Sequence, residues 1–333
     1  MKIVIVSDAW FPQVNGVVRT LSTVADRVRR LGHEVEVIGP DRFRSIPCPT
    51  YPEIRLACWR VGRTVREIIH DFGAQVIHIA TEGPLGLAAR GHARRRGVPF
   101  TTSFHTFFPD YLALRFGLPR SWSFAYLRRF HGRAAATMVS TETMERILAG
   151  RGFVNLARWR RAVDTELFAP HKRTGLDFPR PIMMYVGRVA VEKNIEAFLA
   201  IDRPGTKVIV GDGPQRREME SRYPDVRFLG TRYGEELAGI YASADVFVLP
   251  SRTETFGLVL LEAMASGVPV AAYPVQGPMD IVTDPAAGAL DEDLGRAIDR
   301  ALGLSREACR AHALTYSWDT SAREFVGHLH PFA

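Results

Sequence analysis

The chain has 333 residues, 46% apolar and 24% charged, the composition of a soluble globular protein with room for two domains. No run of about 18 apolar residues exists, which excludes a spanning helix. Met1–Ser7 reads as a strand, too short and wrongly flanked for a signal peptide. Cys48, Cys58 and Cys309 lack metal spacing and fit a reducing cytoplasm rather than a disulfide framework. The net charge is +7, yet only Lys2, Lys172, Lys193 and Lys207 among 43 basic residues are lysines. Arginines cluster at Arg27/Arg29/Arg30, Arg94–Arg96, Arg128–Arg129 and Arg158/Arg160/Arg161. Such patches suit an anionic lipid, an acidic ligand or plain solvated helix faces; no nucleic-acid-binding motif accompanies them, so no nucleic-acid partner is expected.

In chain order, strands alternate with helices. Lys2–Ser7 is a strand, Val17–Leu31 an amphipathic helix stopped by Gly32, and Glu34–Ile38, Gln75–Ile79 and Pro99–Ser103 are further strands. Val61–Phe72 and Leu85–Arg96 are the helices between them. Ala136–Ser140 opens another strand–helix pair, with Thr141 capping Glu142–Ala149. The stretch Trp159–Pro170 is rich in bends, and the polar, proline-flanked His171–Arg180 reads as a linker. The alternation then restarts at Pro181–Val186. It continues through Glu192–Ile201, Lys207–Gly211, Gln215–Arg222, Val226–Leu229, Glu235–Ala242, Val246–Leu249, Leu258–Ser266 and Val268–Ala272. Helices Leu294–Leu302, Glu307–Leu314 and Thr320–Leu329 close the chain. This is a doubly wound α/β pattern in two halves, whose ligands sit at the carboxyl ends of the strands.

The most informative stretch follows the apolar run Val246–Pro250. Glu254 lies in the turn after this buried strand, and Glu262 lies about two helical turns further on, ~12 Å if the interval is helical. Thr255, Phe256 and Gly257 open the helix, whose free N–H groups suit a phosphate, while the two carboxylates could grip sugar hydroxyls. A bare Glu-x7-Glu spacing is usually two surface glutamates. The longer wording from Glu254 through Leu258 to Gly267, Val268, Pro269 and Val270 resembles the donor-site signature of the family 4 nucleotide-sugar glycosyltransferases. By that resemblance Glu254 faces the donor sugar and Glu262 holds the ribose.

Other motifs join it. After the first strand comes Phe11-Pro12-Gln13-Val14-Asn15-Gly16-Val17. There Asn15-Gly16 permits a tight turn, and Gly16 lets backbone approach a diphosphate. The wording resembles bacterial family 4 enzymes that glycosylate lipids, with Asn15 where many have glycine. Thr102–Thr106 ends a strand, and resemblance places His105 beside the reacting carbon of the donor, though not as a base. Arg188 and Lys193 straddle a strand-to-helix turn and resemble the family's diphosphate clamp. Gly211-Asp212-Gly213-Pro214 resembles the turn that lines the nucleotide pocket, with Leu229–Gly234 near the base. Ala162 stands where the family has glycine, which would restrict the backbone, and Gln276 replaces the first glycine of the loop at Gly277–Asp280. The helix Pro119–Ala135 mixes Trp122, Phe124, Tyr126, Leu127 and Phe130 with Arg120, Arg128, Arg129 and Arg133. It reads either as a membrane interface or as a core-facing amphipathic helix.

The resemblance implies an α/β fold of two facing Rossmann-like domains (GT-B), with the nucleotide-sugar site in the interdomain cleft. The boundaries are 1–170 for an acceptor-binding domain, 171–318 for a nucleotide-sugar domain and 319–333 for a helix crossing back. It implies a retaining hexosyltransferase that moves sugar from a UDP- or GDP-linked donor to a lipid or glycolipid acceptor such as diacylglycerol. No cofactor and no metal are expected. The setting would be cytoplasmic, peripheral on the anionic inner face of the cell membrane. The catalytic set is His105, Arg188, Lys193 and Glu254. The substrate-binding set is Gly16, Arg188, Lys193, Gly213, Glu254, Phe256, Gly257, Leu258 and Glu262. Two groups within the family share the wording. GDP-mannose-dependent α-mannosyltransferases share Arg158-Trp159 and Phe168-Ala169-Pro170, and diacylglycerol glycosyltransferases using UDP-linked sulfoquinovose or glucuronate share Ser45–Pro52. A soluble acceptor and a non-catalytic sugar-nucleotide binder are the alternatives.

Overall fold

The computed structural model describes residues 1–13, 15–48, 51–105, 119–254 and 256–332. Val14, Pro49, Thr50, Thr106 and Thr255, which figure in the motifs above, lie outside the described residues, as does the Arg120 side chain. The chain divides into two compact units, Met1–Arg161 with Trp318–Ala333, and Ala162–Ser317.

The first unit contains β1 (Lys2–Val6), α1 (Gly16–Arg30), β2 (Glu34–Ile38), β3 (Ser45–Cys48), β4 (Tyr51–Ala57), α2 (Val61–Phe72) and β5 (Val76–Ile79). It goes on through α3 (Pro84–Arg96), β6 (Thr101–Ser103), α4 (Arg120–His131), β7 (Ala136–Val139), α5 (Glu142–Ala149) and β8 (Leu156–Arg158). Six strands form a parallel sheet in the order β2-β1-β5-β6-β7-β8. Parallel strands are covered on both faces, so they read as unbroken apolar runs, and Ile3, Val4, Ile5 and Val6 are all 0% exposed. The Asn15 side chain caps α1, accepting from the Val17 and Val18 amides at 3.0 Å each. Arg27, Arg29 and Arg30 fall in that helix's last turn, where its dipole favours cations. Thr141 caps α5 through the Met144 amide, as its position before the helix implied. The hairpin β3–β4 escaped the sequence reading, because Pro47 and Pro52 suppress the strand signal and only an edge pair tolerates them.

The second unit contains β9 (Ile182–Val186), α6 (Ile195–Leu199), β10 (Thr206–Val210), α7 (Arg216–Arg222), β11 (Arg227–Gly230), α8 (Gly234–Ser243), β12 (Val246–Leu249) and α9 (Leu258–Ala265). It ends with β13 (Val270–Ala272), α10 (Pro278–Ile281), β14 (Gly288–Leu290), α11 (Leu294–Ala301) and α12 (Arg306–Ala313). Its parallel sheet runs β11-β10-β9-β12-β13-β14. Both sheets therefore reverse strand order beside their first strand, between β1 and β5 and between β9 and β12.

Three differences from the sequence reading have local causes. The unit boundary falls at 161/162 rather than 170/171, because Val163 and Phe168 are buried in the second unit's core and the Arg310 guanidinium donates to the Thr165 and Phe168 carbonyls. His171–Arg180 lies on the second unit, where Lys172 pairs with Glu235 at 2.9 Å. The expected helix Glu192–Ile201 is a 3-10 turn (Val191–Lys193) followed by α6, since Asn194 between them takes φ 51°. The closing helix, Trp318–Gly327, belongs to the first unit, where Asp319 pairs with Arg27 at 3.0 Å.

Candidate active site

In the second unit the loops after β9 and β12 leave the switch point side by side. Asn194 Nδ2 donates to the Pro250 carbonyl at 3.0 Å, and Thr253 Oγ1 donates to the Glu192 carbonyl at 3.4 Å. Between these ties Lys193 Nζ meets Glu254 Oε2 at 2.8 Å, with the two side chains 25% and 15% exposed. Desolvation works to lower the Lys193 pKa. The charge and hydrogen bond of Glu254, with the charge of Glu192, outweigh it and leave the pKa raised, so the ammonium stays cationic. Arg188 is half-buried on the same β9 loop, and its carbonyl accepts from the Tyr185 hydroxyl at 3.0 Å. Burial, then Glu254 and Glu192, push that phenol well above its ordinary pKa.

The helix α9 starts beside this pair. Gly257 is its N-cap at φ 88° and brings no side chain to cap the first turn, so among the described residues the helix start directs its Leu258 and Val259 amides outward, as an anion site would. Phe256 is 8% exposed and packs in the core, and Leu258 packs against that core. What these three residues offer a ligand is therefore backbone, with the phenyl ring anchoring it. Glu262 is 6% exposed, and its Oε2 accepts from the Tyr241 hydroxyl at 2.9 Å. The two glutamates thus differ sharply: Glu254 sits in an ion pair, Glu262 on a buried phenol. Gly213 abuts the Val189 carbonyl and lines a shallow cavity with Asp212, Pro214, Arg216, Arg217 and Glu220.

In the first unit the corresponding position holds Asp8. Its buried carboxylate accepts from Thr81 Oγ1 at 2.8 Å and from the Leu85 and Gly86 amides at 2.9 and 3.4 Å, which caps α3. Burial outweighs those bonds and raises its pKa. His105 follows β6, and its Nδ1 lies 2.8 Å from Arg161 Nη2. Gly16 opens α1, but the Asn15 cap already holds the two amides that follow it. On α4 the large apolar side chains divide: Phe124, Leu127 and Phe130 are each 2% exposed, whereas Trp122 and Tyr126 are 71% and 44% exposed.

Residues 14–167 match the family described as Glycosyltransferase Family 4, and residues 180–303 match Glycosyl transferases group 1. The chain is 34% identical to a GDP-mannose-dependent alpha-mannosyltransferase of Mycobacterium tuberculosis, covering 98% of this chain and 96% of that one. The chain belongs to the family 4 glycosyltransferases. It is also 32% identical to the sulfoquinovosyl transferase of Arabidopsis thaliana over 84% of this chain and 60% of that one. In fold it is similar to a sucrose-phosphate synthase from Thermosynechococcus elongatus, with a TM-score of 0.78 at 21% identity over 98% and 97% of the two chains. The enzyme is a nucleotide-sugar-dependent glycosyltransferase with the GT-B fold. Among the described residues no helix is long and apolar enough to cross a membrane.

Of the residues singled out in the sequence, this glycosyltransferase brings Lys193, Glu254 and the Phe256–Leu258 backbone to one place, with Arg188 on an adjoining loop turn. Asp8 and Arg161 were missed as individuals. Asp8 had a signal, an acid directly after an apolar strand. Arg161 had none, since it reads as one of a surface cluster, yet it is only 5% exposed. Ala162 takes no positive φ, so replacing the family's glycine leaves the backbone unstrained.

The first unit's buried histidines predict a pH dependence. His78 is held near pKa 3, by burial and by the Arg161 charge, and His105 lies well below its ordinary value for the same reasons. Below pH 6.5 the unfolded chain binds protons that the native state refuses. Stability is therefore present above pH 6.5 and lost as the pH falls toward 3. For His78 the loss at pH 5 is roughly 2 kcal/mol, and His105 adds to it in the same direction. Urea unfolding at pH 7.5 and 5.0 checks this, and His78→Gln is expected to flatten the difference.

Proposed function

We propose that the enzyme transfers a mannosyl group from GDP-mannose to a hydroxyl of a membrane lipid, retaining the α-configuration. The observation that carries the reading is the Lys193–Glu254 pair at the β9/β12 switch point, beside the N-terminus of α9. Arg188 and Lys193 neutralise the diphosphate as it departs, so the reaction needs no metal ion. The Leu258 amide region and the Gly213 turn hold the nucleotide, and the Gly16 backbone contributes to the diphosphate. Glu254 binds donor-sugar hydroxyls and Glu262 the ribose. His105 supplies a neutral N–H donor. The acceptor hydroxyl attacks the face the phosphate leaves, and its proton passes to the departing phosphate oxygen.

The near-full-length similarity to a GDP-mannose-dependent enzyme supports mannose as the donor sugar. The lipid acceptor is supported by α4, which exposes Trp122 and Tyr126 among cations. Arg94, Arg129 and Arg133 stand close enough to Arg90 that, after desolvation, their charges lower its pKa. Aromatic tips with arginines suit an anionic membrane surface. The test has two parts. Thermal unfolding without metal is expected to shift upward with GDP and GDP-mannose, and less with UDP or UDP-glucuronate. Labelled GDP-mannose is then incubated with anionic vesicles containing diacylglycerol. Label in the organic phase supports the reading. Label confined to water-soluble product, or a UDP-selective shift, overturns the lipid or the mannosyl assignment respectively.

A further inference from the structure

The chain leaves β8 through Trp159, Arg160 and Arg161, and this short segment is fastened inside the first unit. Trp159 is fully buried. Its Nε1 donates to Ser321 Oγ at 3.0 Å and to the Ser321 carbonyl at 3.1 Å, and Ser321 Oγ donates to the Arg160 carbonyl at 2.6 Å. Its ring packs 5.0 Å from Phe325 of the closing helix and 6.0 Å from the His105 ring. The Arg161 guanidinium carbon lies over the Trp159 ring, 4.1 Å from its centroid. The indole thus holds the guanidinium in place, and Arg161 Nη2 meets His105 Nδ1 at 2.8 Å. Among the described residues no carboxylate pairs with Arg161.

A guanidinium only donates. His105 Nδ1 must therefore present its lone pair, and the ring proton must sit on Nε2. An imidazolium would point an N–H at a cation. Resting on the reading above, in which His105 contacts substrate, we propose that Arg161 is a positioning residue that locks His105 as the neutral Nε2–H tautomer. His105 then serves as a fixed hydrogen-bond donor, never as a base and never as a charged acid.

The surroundings reinforce the lock. Among the described residues, the charged and titratable groups facing His105 are Arg161, His78 from β5 and His131 from α4. His131 is itself tied to Glu82 at 3.1 Å and to Thr102 at 2.9 Å. His78 is bonded to Thr101 and Ser103 at 2.9 Å each. Desolvation and then Arg161 are the main influences that keep His105 from taking a second proton. Arg161 itself is held at about 9 by burial, so it remains charged at neutral pH.

The test uses the full chain labelled with 15N-histidine, with the His105 resonances assigned by their loss in His105→Gln. The wild type is expected to show an unprotonated Nδ1 and a protonated Nε2, unchanged from pH 5 to 8. In Arg161→Met the ring is expected to populate the other tautomer or to titrate in that range. The kcat is expected to fall roughly tenfold to a hundredfold with the donor KM little changed, and a new acid-side loss of kcat to appear. Arg161→Lys is expected to restore the flat profile in part. A protonated Nδ1 or a titration in the wild type overturns the lock, even if Arg161→Met fails to fold. So does an Arg161→Met protein with unaltered resonances and pH profile. Full activity in His105→Ala would instead remove His105 from the reaction while leaving the tautomer result standing.

Discussion

Lys193→Ala is expected to lower kcat by roughly 10²- to 10³-fold or more, the scale lost when one preorganised charge-stabilising group is removed from a transition state. The ammonium is held at 2.8 Å from Glu254 before any donor arrives, so it needs no reorganisation to meet a diphosphate. Glu254 also keeps it protonated against desolvation. The fold should survive, because the side chain is 25% exposed and sits on a 3-10 turn rather than in the core. Thermal unfolding of the variant without ligand checks that point separately. Lys193→Arg keeps the charge but replaces a compact head with a planar fork, and is expected to recover only part of the rate. Glu254→Gln leaves the ammonium unpaired and removes a carboxylate from the sugar side, so it too is expected to lose rate. A Lys193→Ala enzyme with wild-type kcat would show that the diphosphate is neutralised elsewhere.

The reason this site could be read in the sequence is that its parts are local. A parallel strand announces itself as an apolar run, and the residues just past its carboxyl end are the ones that reach a ligand. Val246–Leu249 was placed to the residue, with Glu254 read in the turn after it, and Lys193 was read in the turn after the run Pro181–Val186. What the sequence concealed depends on distant partners. Phe256 belongs to a substrate-site signature, yet its ring is buried because the second unit's core closes around it. Arg161 reads as one of three neighbouring arginines, and only the plate made by Trp159, Ser321 and Phe325, more than 150 positions away for the last two, draws it inside. Val163 and Phe168 carry no mark of which core they join, so the boundary was set about nine residues late. Asn194 ends a helix-like pattern early because its backbone is needed in the left-handed region, where its side chain ties to Pro250.

Gly211→Ala is expected to destabilise the second unit by about 3 kcal/mol or more and to abolish the nucleotide-induced thermal shift. A Cβ at position 211 would lie 1.9 Å from the Gly187 carbonyl oxygen, at a backbone φ of 141°. Neither side can retreat. Gly187 N donates to the Val210 carbonyl and Gly211 N to the Gly230 carbonyl, both at 2.9 Å, so three neighbouring strand ends are clasped at this point. Relief of the clash must push the β9 loop away from β10, and that loop carries Arg188 and Lys193. Gly175→Ala separates the two contributions. Its φ is 75° and nothing lies within 4 Å of the added carbon, so only backbone strain remains, worth roughly 1–2 kcal/mol. Urea unfolding of both variants, with GDP titrated into each, measures the difference. Equal losses would mean that the loops can part freely, and that the clamp does not depend on the backbone contact beneath it. A larger loss at Gly211, together with a lost response to nucleotide, would mean that the glycine of the β10 turn acts on the donor site through carbonyl packing rather than by touching the nucleotide.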